Sequence, residues 1–263
     1  MRKQRMKFLC CVLAVAFIGV FAVGAEAFLG LFGSTPPPMS DEDFIRLSGN
    51  GSAEEVRAAI QSGANVNARE TTIFGALTPL TEAAGRNNDP EVITALIEGG
   101  ADTETTVVRA TSRNNTALHI AIRRSNNPEI AAALIEGGAN IEALREESSS
   151  LGGNGQTPLM DAARSSNFDA VTLLLAAGAN VNAVSSEGDT ALMLAADSPL
   201  DRNPGTPEII IALINGGADV NMTRLSRGFG TAPRTITALN LARGNRRLRD
   251  TEALRMLEEL TQN

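Results

Sequence analysis

The chain of 263 residues carries few side chains of the types that enzymes use as nucleophiles, general bases or metal ligands. His119 is its single histidine, and Cys10 and Cys11 are its two cysteines. A histidine could act as a general base, and thiolates could act as nucleophiles or bind zinc. Both cysteines fall in a leader-like segment, and cleavage of that segment leaves no thiol in the rest of the chain. We therefore predict no catalytic residue and no metal site.

Two glycine-rich segments could in principle bind phosphate or a dinucleotide. Gly152-Gly153-Asn154-Gly155 has no evident strand before it and no lysine after it, which disfavours a phosphate-binding loop. Gly228-Phe229-Gly230 begins a dinucleotide-binding glycine pattern, but Pro233 stands where the third glycine should be. Carboxylates are plentiful, yet the sequence alone does not bring any two of them into a catalytic pair. We expect no cofactor, and an enzyme is the least favoured of the functions considered.

A cluster of arginines between Met222 and Arg249 could bind anionic groups, because this segment contains no Asp or Glu. Guanidinium groups suit bidentate contact with carboxylate or phosphate. One hypothesis is that the region docks an acidic protein surface, with Phe229 at its tip. The alternative is a solvated surface whose arginines pair with acids of neighbouring repeats. The seven arginines are Arg224, Arg227, Arg234, Arg243, Arg246, Arg247 and Arg249.

A repeating unit must position these side chains, and its clearest copy runs from Thr157 to Val184. Thr157 is expected to cap a first helix, Asn167 to cap a second, and Gly178 to end it. Apolar residues recur at helical spacing in both segments, so the unit is predicted to be helix, turn, helix. Helices this short are marginal alone in water, and each unit must therefore pack against its neighbours.

Two motifs of this unit recur in a fixed order along the chain. The opening triplets begin at Thr78, Thr116, Thr157, Thr190 and Thr237, and the closing phrases begin at Gly63, Gly100, Gly138, Gly178 and Gly217. This arrangement resembles the ankyrin repeat, whose period is about 33 residues and whose opening is T-P-L-H-x-A. Residues 116–121, TALHIA, come within one residue of that opening. In the family the histidine commonly forms a hydrogen bond around the helix start, so the resemblance implies a structural role for His119.

The resemblance implies an all-α ankyrin-repeat solenoid of about six stacked helix-turn-helix units with projecting β-hairpin-like fingers. The predicted domain, residues 41–263, divides into an N-terminal cap at 41–77, repeats at 78–115, 116–156, 157–189 and 190–236, and a C-terminal cap at 237–263. The connecting fingers are residues 68–77, 105–115, 143–156, 183–189 and 222–236, named fingers 1 to 5. They vary from 7 to 15 residues, and variation on a constant scaffold favours a role in binding.

In the ankyrin family, partners contact the finger tips and the concave face made by the first helices. The resemblance therefore implies a non-catalytic protein-binding module, and the fingers supply the candidate contacts. The alternative for the apolar candidates is that they fold back onto the stack, since single exposed apolar residues are normal. The candidates are Ile73, Phe74, Val107, Val108, Arg109, Leu144, Arg145, Leu151, Arg224, Arg227, Phe229 and Arg234.

The first 27 residues have the pattern of a secretory signal peptide. Four basic residues precede an apolar run from Phe8 to Val23, and Ala25-Glu26-Ala27 fits a small-x-small cleavage site. We expect residues 28–40 to be a proline-containing linker and the mature chain to be periplasmic. The alternative is an uncleaved leader that anchors the chain to the inner membrane, because apolar residues continue from Phe28 to Phe32.

Composition disfavours nucleic acid as a partner. Residues 28–263 contain 19 Arg and 29 Asp or Glu, which gives a net charge of −10, whereas phosphate binding calls for excess positive charge. We expect a monomer that binds a protein partner of unknown identity, with an acidic surface on that partner as the working hypothesis. An inhibitor or immunity-type protein, an envelope scaffold and a membrane-anchored structural protein stay open as roles.

Overall fold

A computed structural model of the protein describes residues 39–72, 75–109, 112–125, 127–147, 155–197, 206–225 and 234–262. Within these residues, twelve α-helices follow one another as six successive pairs, so the predicted helix-turn-helix solenoid is confirmed. One pair lies in each predicted unit. The pairs are α1 Asp41–Asn50 with α2 Ala53–Gln61, α3 Pro79–Arg86 with α4 Pro90–Glu98, α5 Ala117–Arg124 with α6 Pro128–Glu136, α7 Pro158–Arg164 with α8 Phe168–Ala176, α9 Ala191–Ala196 with α10 Thr206–Asn215, and α11 Ala238–Gly244 with α12 Glu252–Leu260.

The helices begin at capping residues that the sequence marks. Thr157 accepts a hydrogen bond from the Met160 amide at 3.3 Å, and Asn167 accepts one from the Ala170 amide at 3.1 Å. Ser52 forms the predicted capping box with Glu55. Such caps satisfy amides that the helix itself leaves unpaired, and the loss of one typically costs about 1 kcal/mol. The predicted helix starts at residues 52, 157 and 167 are therefore confirmed.

The helices form two layers around one continuous apolar core. Each odd-numbered helix contacts the next odd-numbered helix, and each even-numbered helix contacts the next even-numbered one. Small side chains on the odd-numbered helices, such as Ala83, Ala121 and Ala163, are buried and allow close approach between the layers. We call the odd-numbered helices α1 to α11 the first-helix layer and the even-numbered helices α2 to α12 the second-helix layer.

Side chains of the closing phrases connect the first five units, each to the next, by hydrogen bonds to the backbone. The Asn67 side chain donates to the Gly100 carbonyl and accepts from the Asp102 amide, both at 2.9 Å. At the equivalent position, Glu142 accepts a single bond from the Asn180 amide at 2.7 Å. Glu104 repeats the single-bond arrangement, and Asn182 repeats the double-bond arrangement. The units are thus joined by polar contacts as well as by the apolar core.

The fingers form two antiparallel sheets. Strands β1 Glu70–Thr72 and β2 Gly75–Leu77 lie in finger 1, β3 Val107–Arg109 and β4 Ser112–Asn115 in finger 2, and β5 Glu146–Glu147 in finger 3. These five strands pair in sequence order, with β2 joined to β3 through Gly75 and Arg109. Strands β6 Thr223–Leu225 and β7 Thr235–Thr237 form a separate hairpin in finger 5. The hairpins were predicted, whereas the sheet that joins three fingers was not.

Finger 4, which is the shortest finger at 7 residues, is a tight turn without strands. The Ser185 amide donates to the Asp189 carbonyl at 2.9 Å and closes the turn. The predicted signal peptide and all but the last two residues of the linker lie outside the described residues, as do residues 198–205 between α9 and α10. In the part of the chain that the structure describes, no helix is long and apolar enough to cross a membrane.

Candidate partner-binding surface

Side chains on the fingers alternate between the stack and solvent, as strand geometry requires. In fingers 2 to 5, the seventh residue after the closing glycine turns toward the stack. This residue is Val107 in finger 2, Arg145 in finger 3, Ser185 in finger 4 and Arg224 in finger 5. The first three are buried, and Arg224 is mostly covered. The finger register therefore decides which candidate residues can contact a partner.

Arg145 in finger 3 is a buried residue rather than a surface contact, because its side chain is only 1% exposed. Its Nε donates to Asp161 Oδ2 at 2.8 Å, and its Nη2 donates both to Asp161 Oδ1 at 2.5 Å and to Gln156 Oε1 at 2.7 Å. A backbone bridge between Arg145 and Gln156 holds the finger closed at the same point. Val107 is likewise buried. Because they are buried, Val107 and Arg145 are no longer candidates for partner contact.

Arg224 takes the same register position in finger 5 but stays 21% exposed. Its Nε lies 2.9 Å from Asp189 Oδ1 without a hydrogen directed at that oxygen, so the contact is an ion pair rather than a hydrogen bond. A terminal nitrogen lies 3.9 Å from Asp197 Oδ2. Burial raises the pKa of Asp189, and the Arg224 charge opposes that shift. Asp189 of the fourth unit and Asp197 of the fifth unit thus neutralise part of the charge of Arg224.

Apolar side chains on the outward face of three successive fingers are exposed. Leu144 in finger 3 is 57% exposed, Val184 in finger 4 is 53% exposed, and Leu225 in finger 5 is 64% exposed. Leu144 and Val184 are the sixth residues after their closing glycines, and Leu225 is the eighth, so all three share the outward face. The structure keeps Leu144 as a candidate and adds two residues that the sequence reasoning missed.

The other candidates are distributed as follows. Arg234 is exposed just before β7. Val108 and Arg109 lie in β3, and only their backbone is described. The remaining candidates lie outside the described residues, and they are Ile73, Phe74, Leu151, Arg227 and Phe229. In the same arginine-rich segment, Arg243 pairs with Glu258 of its own unit at 3.0 Å.

A basic row that the sequence reasoning missed lies at the C-terminal ends of α3, α5 and α7. Arg86, Arg123, Arg124 and Arg164 are all exposed there. The row was detectable in the sequence, because each arginine is the eighth or ninth residue counted from its opening threonine. We call these four residues the arginine row.

The helices that carry the arginine row expose no acid. Glu82 on α3 and Asp161 on α7 are both buried, and Arg86 pairs with Glu82 at 3.1 Å. Arg123 and Arg124 make no ion pair with any residue that the structure describes. The guanidinium groups of α5 are therefore free to bind an anionic partner.

The second-helix layer has the opposite charge. Helices α2, α4, α6, α8 and α10 contain eight acidic residues and one basic residue, Arg57. Seven of the eight acids are exposed, and Glu55 is half-buried. Helices α3, α5 and α7 of the first-helix layer therefore expose positive charge, and helices α2 to α10 of the second-helix layer expose mainly negative charge. The acids are Glu54, Glu55, Glu91, Glu98, Glu129, Glu136, Asp169 and Glu208.

His119 lies in the core, close to Arg145 and Gln156 of finger 3. Its Nδ1 and the Thr116 hydroxyl are 2.9 Å apart, which confirms the expected hydrogen bond at the helix start. Its Nε2 is buried without a well-directed hydrogen bond, although the Gln156 carbonyl lies close enough to favour the protonated ring. Burial outweighs this contribution and lowers the pKa of His119. A neutral, enclosed ring agrees with a structural role. Among the described residues, no group of His, Cys, Asp and Glu is arranged to hold a metal ion.

The helix pairs bury their apolar faces against one another and present charged helices and fingers to solvent. This arrangement defines a repeat solenoid suited to protein binding. The chain belongs to the ankyrin-repeat family. The family model, described as ankyrin repeats (3 copies), matches residues 44–145 and 143–224. No curated protein sequence matches the chain. The family assignment therefore indicates a protein-binding class without naming a partner.

Proposed function

We propose that the chain is a non-catalytic binding module that contacts an acidic surface of a protein partner through the arginine row. The observation that carries this proposal is the exposure of Arg86, Arg123, Arg124 and Arg164 on three successive helices that expose no acid. Ankyrin repeats are generally protein-binding modules, and the family's first-helix layer is a usual contact surface. The proposal moves the acidic-partner hypothesis from the segment 222–249 to the first-helix layer.

The chemistry of the arginine row favours a protein carboxylate as its ligand. A guanidinium group presents a planar fork that matches a carboxylate in two parallel hydrogen bonds. Packed helices lie about 8–10 Å apart, so the row offers such forks at regular intervals along the stack. A partner with carboxylates at a similar spacing would bind several units at once. Leu144 and Val184 on the neighbouring fingers would add apolar contact area.

Charge reversal at Arg123 and Arg124 tests this proposal. Residues 28–263 would be immobilised and used to capture proteins from the native cell envelope. The amount of partner captured by the double variant Arg123→Glu/Arg124→Glu should be at least about tenfold lower than for the wild type. The variant replaces attraction by repulsion at the centre of the row. The double variant Arg246→Glu/Arg249→Glu is the matched control, because it makes the same charge change on exposed residues of the last unit. Equal capture by both variants, with unchanged helical circular dichroism, would contradict the proposal.

The number of captured proteins distinguishes the roles that the sequence leaves open. An inhibitor or immunity-type protein should form a stoichiometric complex with one enzyme. An envelope scaffold should instead recover several proteins. Both roles use the same surface, so the charge-reversal variant applies to either.

We also propose that the chain is exported and works in the periplasm. The basic start, the apolar run and the small-x-small site of residues 1–27 support this proposal. Intact-mass measurement of the native protein should give a chain that begins at Phe28. Recovery of the full-length chain from the membrane fraction would instead support the membrane-anchored alternative.

A further inference from the structure

A groove with a volume of about 400 Å³ lies between α6 and α8 on the second-helix layer. Its lining is mainly apolar and includes two exposed acidic residues. The groove is lined by Pro128, Glu129, Ala132, Asp169, Thr172 and Leu173. It lies on the acidic layer, apart from the arginine row, so the first-helix surface does not explain it.

The first two units show what occupies the equivalent place elsewhere in the same molecule. Arg57 extends from α2 toward α4, where a terminal nitrogen lies 3.0 Å from Glu91 Oε2. Its Nε also approaches Glu98 Oε2 at 3.9 Å. The arginine thus lies across the boundary between two second helices with its charge at a carboxylate of the next unit.

The repeat register places the groove at the same boundary two units further along. Arg57 is the fifth residue of α2, and Ala132 is the fifth residue of α6. Glu91 is the second residue of α4, and Asp169 is the second residue of α8. The groove therefore keeps the carboxylate that accepts an arginine while the arginine itself is replaced by alanine.

The two carboxylates that line the groove are available. Glu129 and Asp169 are exposed, and neither makes an ion pair within the described part of the chain. Ala132 and Leu173 are half-buried and leave apolar surface between them. A side chain that combines an aliphatic stem with a cationic end would match both features, because such stems pack on apolar surface while the charge stays at the rim.

We propose that this groove binds an arginine or lysine side chain from a basic segment of a partner protein. The stem packs against Ala132 and Leu173, and the cationic end lies between Glu129 and Asp169. The second-helix layer then carries an interaction surface that is separate from the arginine row. The chain can hold a basic partner on one layer and an acidic partner on the other.

A labelled peptide tests the charge contact. The probe is a fluorescein-labelled hexapeptide of alternating leucine and arginine, and its binding to residues 28–263 is followed by fluorescence anisotropy. Asp169→Asn should weaken binding about tenfold, the usual effect of losing a charge-assisted hydrogen bond. Glu54→Gln is the matched control, since Glu54 is the second residue of α2 and exposed, and its loss changes net charge equally. Equal weakening by both variants would show only general attraction to an acidic protein and would overturn the proposal.

A second variant tests the groove itself. Ala132→Arg restores the arrangement of Arg57 inside the groove and should abolish peptide binding while thermal stability is kept. Gln61→Arg, which adds the same charge at an exposed position of α2, should bind the peptide nearly as wild type does. Peptide binding that survives Ala132→Arg would overturn the proposal. The proposal would also be overturned if the wild type bound no peptide but formed a concentration-dependent dimer that only Ala132→Arg dissociates. That result would identify a second copy of the chain as the occupant of the groove.

Discussion

Fingers 3 and 5 place an arginine at the same register position in two different environments. Arg145 is fully enclosed and bonded to Asp161 and Gln156, whereas Arg224 is partly exposed beside Asp189. Each arginine also has a titratable neighbour whose pKa is shifted by burial. The pKa of His119, near Arg145, is lowered, and the pKa of Asp189, beside Arg224, is raised. One repeat position can therefore hold a buried, hydrogen-bonded arginine in one unit and a partly exposed, ion-paired arginine in another.

The largest expected effect is at the enclosed arginine. Arg145→Ala leaves the Asp161 carboxylate buried without its partner, and breaking a buried ion pair in this way costs about 3–5 kcal/mol. The free energy of unfolding from urea titration measures this loss. The double variant Arg145→Met/Asp161→Leu removes both charges and should recover most of the stability. A loss below about 1 kcal/mol in the single variant would show that solvent reaches Asp161.

Acidification should weaken the structure at His119. Its folded pKa lies below the ordinary value of 6.5, so the unfolded chain binds more protons between those two values. Stability therefore falls as the pH drops below 6.5, by up to about 1.4 kcal/mol per pH unit. His119→Asn should remove this dependence, because Asn240 already stands at the equivalent position and caps α11. Parallel stability profiles for both proteins between pH 7 and 5 would contradict this prediction.

The matching alanine substitution in finger 5 should have a smaller effect. Arg224→Ala removes a partly solvated ion pair, and such pairs contribute about 0–1 kcal/mol. The difference between Arg145→Ala and Arg224→Ala, measured under the same conditions, tests the comparison directly. Similar losses in the two variants would mean that register position, rather than enclosure, determines the energy.

The smallest expected effect has the opposite pH dependence. The folded pKa of Asp189 lies above its ordinary value of 3.8, so the folded state binds more protons than the unfolded chain just above that value. This group therefore destabilises the fold at neutral pH and contributes less destabilisation as the pH falls toward 3.8. Asp189→Asn should raise stability slightly at pH 7 and make no difference near pH 3. A loss at pH 7 would show that the pairing with Arg224 outweighs burial.

Most of the fold could be predicted from the sequence because its signals are local. Capping residues such as Thr157 and Asn167 mark where helices begin, and the recurring motifs require the helix pairs to stack. The sheet across fingers 1 to 3 could not be predicted in the same way. It depends on how far successive units rotate, which brings Gly75 and Arg109 together, and no local motif encodes that rotation.

The candidate surface was harder to predict than the fold. The fingers were located, but the choice among their side chains requires the register counted from the closing glycine. That register would have excluded Val107 and Arg145 and selected Val184. The arginine row was missed because its members lie in three different units, and only an alignment of units brings Arg123 and Arg164 to one position. The partner of Arg145 was not predictable from the register, since the position of Asp161 is filled by Glu82 in one other unit and by Ile120, Leu194 and Leu241 in the rest.

The hydrogen bonds between closing phrases also have a mechanical consequence. Asn67 and Asn182 hold their neighbours by two bonds each, whereas Glu104 and Glu142 hold theirs by one. The boundary bridged by Glu142 is also the one at which α6 and α8 leave a groove. Among these four boundaries, bending should therefore concentrate at the two central ones, so that the first two units and the fourth and fifth units can change their relative orientation while each pair keeps its own shape.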